Sequence, residues 1–252
     1  MTDVSFQCVA IILPVFNASK TIERAIESII HQTYQNFVLY VIDDCSTDNS
    51  LEKINKYSYD PRLVILENKV NKGVSYSRNY GLDYSNEPII AYIDSDDQWH
   101  PNKLAEQVDC YLSNGRVPII TAYNYIHSAK KTISHNSDTL DLKSFLKKDY
   151  RICLSSLLHG RVSFRFIETG HEDYLFIYKL FSDFGHLQII NHPLVNYYAV
   201  AGSLSSNKIL AARWQMNLLI NYFELPVHKA IYFFYYYVVN AIKFKVGDKN
   251  GK

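Results

Sequence analysis

Three carboxylates stand within four positions, directly after a run of apolar residues. Residues 89–93 read Ile-Ile-Ala-Tyr-Ile, and Asp94, Asp96 and Asp97 follow them. The run predicts a strand buried on both faces, and open α/β sheets bind ligands just beyond the carboxyl ends of their strands. Clustered carboxylates repel one another, and a cation, a helix N-terminus or a basic partner usually relieves the repulsion. Because carboxylates are hard oxygen ligands, the cluster favours Mg²⁺, Mn²⁺ or Ca²⁺ over softer metals.

Acidic pairs mark the ends of two other predicted elements. Asp43 and Asp44 follow a predicted strand, and Glu172 and Asp173 stand before a predicted helix. Group transfer from a nucleotide diphosphate needs a contact to the base or ribose, a cation across the phosphates and a general base for the incoming hydroxyl. The three acidic groups together match these needs.

Each acidic group, taken alone, also has a structural explanation. Short polar side chains are the preferred N-caps of helices. The candidates are Asp44, Ser46 and Asp48 before one predicted helix, and Asp96 and Asp97 before another that Pro101 opens. Thr169 and Glu172 have the spacing of a capping box, which explains Glu172 but leaves Asp173 unassigned.

Strands alternate with helices along roughly the first hundred residues. The predicted strands are 8–13, 37–42, 63–66 and 89–93, and the predicted helices are 20–31, 49–57, 74–84 and 102–113, the first capped by Asn17 or Ser19. This alternation predicts parallel βαβ units of the nucleotide-binding architecture. Neither a Gly-x-Gly-x-x-Gly segment nor a Walker loop occurs. A bound nucleotide would therefore be held by acidic residues and a metal.

The pattern loosens in the second half of the chain. The predicted elements are a strand at 117–123, a helix at 138–148, an edge strand at 162–166, a helix at 174–184 ended by Gly185, strands at 187–190 and 194–198 separated by Pro193, and helices at 209–223 and 227–244. A polar loop, 202–208, precedes the last two helices.

Composition excludes several classes of protein. The chain has 252 residues, 48% hydrophobic and 20% charged, which is typical of one globular domain with or without a small appendage. Its 26 Lys and Arg residues nearly balance its 25 Asp and Glu residues, so no net charge draws it to nucleic acid. Four widely spaced cysteines predict neither a zinc site nor a disulfide framework. With neither a signal peptide nor a membrane-spanning run, a cytoplasmic location is expected.

Five segments, in this order, resemble family 2 of the inverting glycosyltransferases, which have the GT-A fold. The segments are Ile-Ile-Leu-Pro-Val-Phe-Asn (11–17), Val-Ile-Asp-Asp-Cys-Ser-Thr-Asp (41–48), Asn-Lys-Gly-Val with Arg-Asn (71–74 and 78–79), Tyr-Ile-Asp-Ser-Asp-Asp (92–97) and His-Glu-Asp (171–173). The resemblance implies an α/β fold with a Rossmann-like, mostly parallel sheet, helices on both faces and a C-terminal helical extension. It divides the chain into a glycosyltransferase domain, 1–205, with nucleotide-binding (1–100) and acceptor (101–205) halves, and an extension, 206–252.

The resemblance also implies roles for individual residues. The residues assigned to the nucleotide sugar are Pro14, Val15, Phe16, Asn17, Asp44, Lys72, Arg78, Asp94, Ser95 and Asp96. Asp44 is expected to accept a hydrogen bond from the base, usually uracil. Asp94 and Asp96 are expected to bind Mn²⁺ or Mg²⁺, with Asp94 nearer the ribose and Asp96 the direct ligand. Lys72 and Arg78 fit a surface position as well as a nucleotide contact.

Asp173 is expected to be the catalytic base. It would accept the proton of the acceptor hydroxyl as that hydroxyl attacks the anomeric carbon opposite the leaving diphosphate, which inverts the configuration. The chain departs from the family at Tyr198, where many relatives carry an arginine beside the diphosphate. Arg213, Lys208 or a larger share of charge on the metal would compensate.

The implied activity is metal-dependent transfer from a nucleotide sugar, in particular a UDP-sugar, to a hydroxyl of a saccharide or lipid-linked acceptor. The segment 202–208 and the aromatic tail resemble bacterial enzymes that build lipopolysaccharide or capsular saccharides. A sugar-nucleotide nucleotidyltransferase and a catalytically silent sugar-binding module are the alternatives. The basic, aromatic helix after residue 227 fits both a peripheral contact with the inner face of the cell membrane and a homodimer or core helix.

Overall fold

A computed structural model describes residues 7–127, 130–199 and 208–249, with helices on both faces of a ten-stranded sheet. The strands are β1 (Val9–Val15), β2 (Phe37–Asp43), β3 (Leu63–Glu67), β4 (Ile89–Tyr92), β5 (Gln98–Trp99), β6 (Ile119–Ile126), β7 (Lys130–Ile133), β8 (Thr139–Asp141), β9 (Leu158–Gly160) and β10 (His186–Tyr198). The helices are α1 (Ile22–Ile30), α2 (Ser50–Asn55), α3 (Val74–Tyr84), α4 (Lys103–Ser113), α5 (Leu142–Leu146), α6 (Glu172–Phe184), α7 (Lys208–Asn217) and α8 (Val227–Lys249).

The first four long strands lie side by side in the order β3-β2-β1-β4, and their pairings are all parallel. The strand order reverses between β1 and β4, and a crevice beyond the carboxyl ends of the strands forms at such a point. Val15 pairs with Asp43, and Ile12 pairs with Tyr92. This register brings the acidic ends of β2 and β4 to the edge of the sheet where β1 ends.

The second half of the sheet is mixed. Strand β9 runs antiparallel between β4 and β6, and β10 runs parallel to β6. The prediction of two strands around Pro193 was wrong, because β10 continues through Pro193 with a shift in its register against β6. Residues 162–166 form no strand, and the predicted helix at 138–148 divides into β8 and α5. Strands β5 and β7 have only two and four residues, too few for an alternation of apolar and polar side chains to predict them.

Two apolar cores cover the faces of the sheet. Helices α1, α2 and α4 pack on one face, where Val9, Ile11 and Leu13 of β1 point. Helices α3, α5 and α6 pack on the other face together with Leu218 and Ala230 of the C-terminal segment. The helical extension thus shares a core with the rest of the chain. The predicted domain boundary at 205/206 and the polar segment 202–207 lie outside the described residues.

Several predicted helix caps are wrong. The N-cap of α1 is Thr21, without a side-chain cap. The N-cap of α6 is His171 in a left-handed conformation (φ 65°), and the Thr169 hydroxyl donates to the Gly170 carbonyl instead of closing a capping box. The prediction that Gly185 ends α6 is confirmed by its φ of 77°. Within residues 7–127, 130–199 and 208–249, no helix has the length and hydropathy of a membrane span.

Candidate active site

A cleft of about 290 Å³ opens where β1, β2 and β4 end. Most of the residues assigned to the nucleotide sugar line it, namely Pro14, Val15, Phe16, Asp44, Arg78, Asp94, Ser95 and Asp96. Val74, Ser77 and Tyr197 also line the cleft and were missed by the sequence analysis. Tyr197 comes from β10, more than a hundred residues after the other lining residues, so local pattern could not place it there. The roles of the individual side chains stay predictions.

Asp44 fixes the loop that leads into α3. Its carboxylate accepts hydrogen bonds from the backbone N–H groups of Lys72 (2.9 Å) and Gly73 (2.7 Å) and from the Asn68 amide (2.8 Å). Gly73 has a φ of 87°, a conformation that glycine adopts without steric cost. The Lys72 ammonium instead donates to the Tyr76 hydroxyl and lies outside the cleft lining.

Asn17 joins the loops that follow β1 and β2. Its side-chain oxygen accepts from the Thr47 N–H (2.8 Å), and its own N–H donates to the Ser46 hydroxyl (3.0 Å). Asn17 has a φ of 50°, a left-handed conformation that asparagine tolerates better than most residues. It does not belong to the cleft lining. Asn17 therefore shapes the rim of the cleft by holding these two loops together.

Asp94 and Asp96 face the cleft from the turn after β4. The Arg78 guanidinium donates to the Asp94 carboxylate at 2.8 Å, and the Asp94 N–H donates to the Ser155 hydroxyl at 3.1 Å. Burial, and then the nearby charge of Asp94, raise the pKa of Asp96 to about 6. A cation at this position would favour the ionised form of Asp96.

Asp97 is buried and holds the same turn from within. It accepts hydrogen bonds from the Ser155 hydroxyl (2.5 Å) and the Tyr198 N–H (3.2 Å), and burial followed by the charge of Asp94 raises its pKa well above the ordinary value. The explanation of Asp96 or Asp97 as a helix cap is wrong, because Asn102 occupies the N-cap position of α4.

Arg24 of α1 was also missed by the sequence analysis. Its guanidinium lies over the Tyr198 ring, 3.7 Å from the ring centroid, and donates to the Asp96 carbonyl. Arg213, proposed to compensate for Tyr198, is exposed on α7 and does not line the cleft. The side chain of Lys208 lies outside the described residues. Arg24 is thus the arginine that the structure places beside Tyr198.

Arg78 joins the cleft to the start of α6. It is buried, and its guanidinium donates to Asp94 (2.8 Å) and to Glu172 (2.9 Å). Burial alone would lower the pKa of Arg78, but Asp94, Glu172 and Asp173 outweigh burial and raise it above its ordinary value. Its interpretation as a helix-surface arginine is wrong.

Asp173 lies in the first turn of α6, partly buried, directly after Glu172. Its carboxylate accepts from the Tyr174 N–H at 2.8 Å. The N-terminus of a helix stabilises negative charge, so α6 supports both acidic residues. Asp173 is not part of the cleft lining, but the Arg78–Glu172 pair brings its helix end to the border of the cleft.

Helix α7 packs on the loop that precedes Glu172. The Trp214 indole occupies the space above Gly170, where a Cβ atom would come within 1.9 Å of the indole. The same indole meets the His171 ring edge to face at 5.6 Å. The C-terminal extension therefore contacts the segment that positions Asp173.

The carboxylates of Asp94 and Asp96 fit a divalent metal that takes its other ligands from substrate phosphates and water. Among the described residues, no group of three or more His, Cys, Asp or Glu side chains could enclose a metal ion. Mg²⁺ is commonly bound by one or two carboxylates together with substrate phosphates and water. A metal held in this way would depend on the nucleotide for several of its ligands.

Comparisons with known proteins agree with this geometry. The family model described as Glycosyl transferase family 2 matches residues 10–168. WfgD of Escherichia coli, a UDP-Glc:α-D-GlcNAc-diphosphoundecaprenol β-1,3-glucosyltransferase, is 31% identical over 97% of this chain and 98% of its own. WfaP of Escherichia coli, named for the same activity, is 30% identical over 96% and 98%.

Solved structures show the same fold at low sequence identity. TarS (residues 1–349) of S. aureus in complex with UDP-GlcNAc superposes with a TM-score of 0.72 at 18% identity, over 84% of this chain and 66% of that chain. The mannosyltransferase PcManGT of Pyrobaculum calidifontis in complex with GDP-Man and Mn²⁺ superposes with a TM-score of 0.68 at 15% identity, over 97% and 76%. The family match favours a transferase over the nucleotidyltransferase and the silent binding module. The chain therefore belongs to glycosyl transferase family 2, has the GT-A fold and is a glycosyltransferase.

Proposed function

We propose that this glycosyltransferase transfers a sugar, with inversion, from a UDP-sugar to a hydroxyl of a lipid-linked saccharide, and that it needs Mn²⁺ or Mg²⁺. The observation that carries the proposal is the contact of Arg78 with both Asp94 and Glu172. This contact ties the carboxylates of the donor cleft to the helix end that bears Asp173. The names of WfgD and WfaP, which give UDP-Glc as donor, support the choice of nucleotide.

The residues divide the chemistry between them. Asp173 accepts the proton of the acceptor hydroxyl, which becomes acidic in the transition state, as that hydroxyl attacks the anomeric carbon and the nucleoside diphosphate leaves. Asp96 and Asp94 would hold Mn²⁺ or Mg²⁺, which offsets charge on the leaving diphosphate. Arg78 keeps Asp94 and Glu172 at a fixed separation, which orients donor and base relative to each other.

A lipid-linked acceptor is supported by the surface of α8. Apolar side chains that are 38% to 63% exposed recur along it at helical spacing, at Val227, Ile231, Tyr235, Val238 and Ile242. The sequence from residue 227 onwards also contains five lysines against a single aspartate, a combination that suits the surface of an anionic membrane. We place the enzyme in the cytoplasm at the inner face of the cell membrane, where an acceptor for cell-surface polysaccharide synthesis would be anchored.

A screen of nucleotide sugars tests the donor and the metal. UDP-, GDP- and TDP-sugars are added with and without Mn²⁺, and the melting temperature of the protein is measured. We expect UDP-sugars to stabilise the protein in the presence of Mn²⁺, and Asp96→Ala to remove the metal dependence. Stabilisation by GDP-sugars alone, or equal stabilisation without metal in the native protein, would contradict the proposal.

Flotation with anionic vesicles tests the membrane contact. Ile231→Ser with Tyr235→Ser should lower the bound fraction, whereas Tyr59→Ser, at an exposed tyrosine of another surface, should leave it unchanged. If the doubly substituted protein instead changes from dimer to monomer in sedimentation and still floats with vesicles, the stripe is a homodimer interface.

A further inference from the structure

A second cavity, of about 300 Å³, shares no lining residue with the donor cleft. It is lined by the loop after α5, by the end of β7 and by one face of α8. Three cationic side chains line it, those of Lys148, Arg151 and Lys243. The acidic side chain in the lining, Asp149, accepts a hydrogen bond from the Asn240 amide at 3.1 Å. The cavity therefore carries an excess of positive charge.

Aromatic rings contact two of these three cations. The Arg151 guanidinium lies 3.9 Å from the centroid of the Phe244 ring, and the Lys148 ammonium lies 3.8 Å from that of Tyr174. No ion pair among residues 7–127, 130–199 and 208–249 involves Lys148, Arg151 or Lys243. Because a guanidinium that stacks on a ring face keeps its N–H groups in its own plane, those of Arg151 stay available to an anion.

One cation of the second cavity contacts the residue next to the predicted base. Tyr174, on which Lys148 lies, directly follows Asp173. Burial lowers the pKa of Lys148 to about 8, and the charge of Asp173 opposes that shift. The same carboxylate also raises the pKa of Arg78 at the donor cleft. The two residues that flank Asp173 thus each contact a cation, Glu172 that of Arg78 at the donor cleft and Tyr174 that of Lys148 at the second cavity.

We propose that this cavity binds the diphosphate of the acceptor. The proposal rests on the function proposed above, in which the acceptor is a lipid-linked saccharide. When a diphosphate is attached to the anomeric carbon of the sugar being extended, only one sugar ring separates it from the reacting hydroxyl. Arg151 offers the planar pair of donors that binds two phosphate oxygens at once, and Lys148 and Lys243 add charge. Anchoring the diphosphate there would direct the hydroxyl of that sugar towards Asp173.

Two water-soluble synthetic acceptors test the proposal in transfer assays. One is α-GlcNAc diphosphate with a short alkyl chain, and the other is the alkyl α-GlcNAc without the diphosphate. We expect Arg151→Gln and Lys243→Gln each to raise the KM for the diphosphate acceptor about tenfold, since each removes a charge-assisted hydrogen bond, and to leave the KM for the other acceptor unchanged. Lys229→Gln, an exposed lysine of the same helix, is the matched control.

A binding measurement does not depend on turnover. Inorganic pyrophosphate is titrated calorimetrically into the full-length protein, with UDP present to fill the donor cleft. Binding that is weakened about tenfold by Arg151→Gln and by Lys243→Gln, but not by Lys229→Gln, supports the site. Equal affinity in all variants, with unchanged KM values, overturns it.

Two further outcomes distinguish failure of the diphosphate site from failure of the proposed function. If the substitutions lower vesicle binding but leave the KM for the soluble diphosphate acceptor unchanged, the cavity binds phospholipid head groups and the proposal is overturned. If the unsubstituted protein glycosylates neither acceptor and no nucleotide sugar stabilises it, the proposed function fails. In that case, pyrophosphate binding at the cavity shows that the anion site exists without an acceptor role, which also overturns the proposal.

Discussion

The Arg24 guanidinium stacks on the ring of Tyr198, 3.7 Å from its centroid, and donates to the carbonyl of Asp96. Arg24 belongs to α1 and Tyr198 ends β10, so the contact joins distant parts of the chain. Because Tyr198 also donates its N–H to Asp97, the pair contacts two consecutive residues of the turn that presents Asp96. We infer that Arg24 positions the turn that carries the proposed metal ligands.

Arg24→Gln should therefore weaken donor binding in the presence of Mn²⁺. The loss of a charged hydrogen bond predicts a donor KM about tenfold higher, with a smaller change in kcat. Arg62→Gln is the matched control, because Arg62 also stacks on a ring, that of Phe37, but far from the cleft. A donor KM within twofold of the native value, measured at saturating acceptor, would remove Arg24 from this role.

Arg78→Lys should keep the fold but impair transfer. A lysine retains the charge but cannot present the planar guanidinium that contacts Asp94 and Glu172 together. Because misplacement of catalytic groups by about 1 Å can cost about 100-fold in rate, we expect kcat/KM to fall by that order. Arg165→Lys, which changes an exposed ion pair with Asp83, is the control. Nearly native kcat/KM in Arg78→Lys would show that the bridge between cleft and base is dispensable.

Gly170→Ala tests the packing of α7 on the loop before Asp173. The added Cβ would lie 1.9 Å from the Trp214 indole, so the helix or the loop must move. Overpacking of this kind costs on the order of 1–3 kcal/mol of unfolding free energy, and transfer should fall with it. Adding Trp214→Ala to Gly170→Ala should restore part of the unfolding free energy and part of the transfer activity. A double variant no better than Gly170→Ala would indicate that the clash is not the cause.

Lys103→Met tests a buried amine on the opposite face of the sheet. The Lys103 ammonium lies 3.7 Å from the Trp99 ring centroid without a hydrogen-bond acceptor, and burial holds its pKa well below the ordinary value. Between the lowered folded pKa and the unfolded pKa of about 10.4, the unfolded chain binds more protons, so this lysine makes stability rise with pH.

The methionine variant should be more stable than the native protein at pH 7, by on the order of 1 kcal/mol, with the difference shrinking as the pH approaches about 10. Urea unfolding at several pH values measures this, with the exposed Lys20→Met as control. A Lys103→Met protein that is less stable at pH 7, by an amount independent of pH, would mean that the lysine is charged and well accommodated.

The parallel half of the fold could be predicted from sequence because its signals are local. Apolar runs located β1, β2 and β4, the last two followed by acidic residues, and the helix at 74–84 has the predicted bounds. Since parallel strands end at one edge, the same runs also placed Asp44, Asp94 and Asp96 together. The mixed half was predicted less well, because short strands such as β5 and β9 owe their existence to pairing with distant strands.

Contacts between distant segments were beyond any local pattern. Ser155, 61 residues after Asp94, donates to Asp97 and accepts from the Asp94 N–H, and nothing in its neighbourhood marks it. Arg24 appears in the sequence as an ordinary helix residue, and its role depends on Tyr198, 174 positions later. The family resemblance supplied the expected role of Asp173, whereas the link of its helix end to the cleft became visible only through the contact of Arg78 with Glu172.

The most direct test of the account is to measure transfer and UDP-sugar binding by the same preparation of Asp173→Asn. The asparagine keeps the shape of the side chain but cannot accept the proton of the acceptor hydroxyl. The account predicts that transfer falls by about 100-fold or more, while UDP-sugar binding stays within twofold, and that Asp183→Asn at the other end of α6 changes neither. Native transfer by Asp173→Asn would contradict the account.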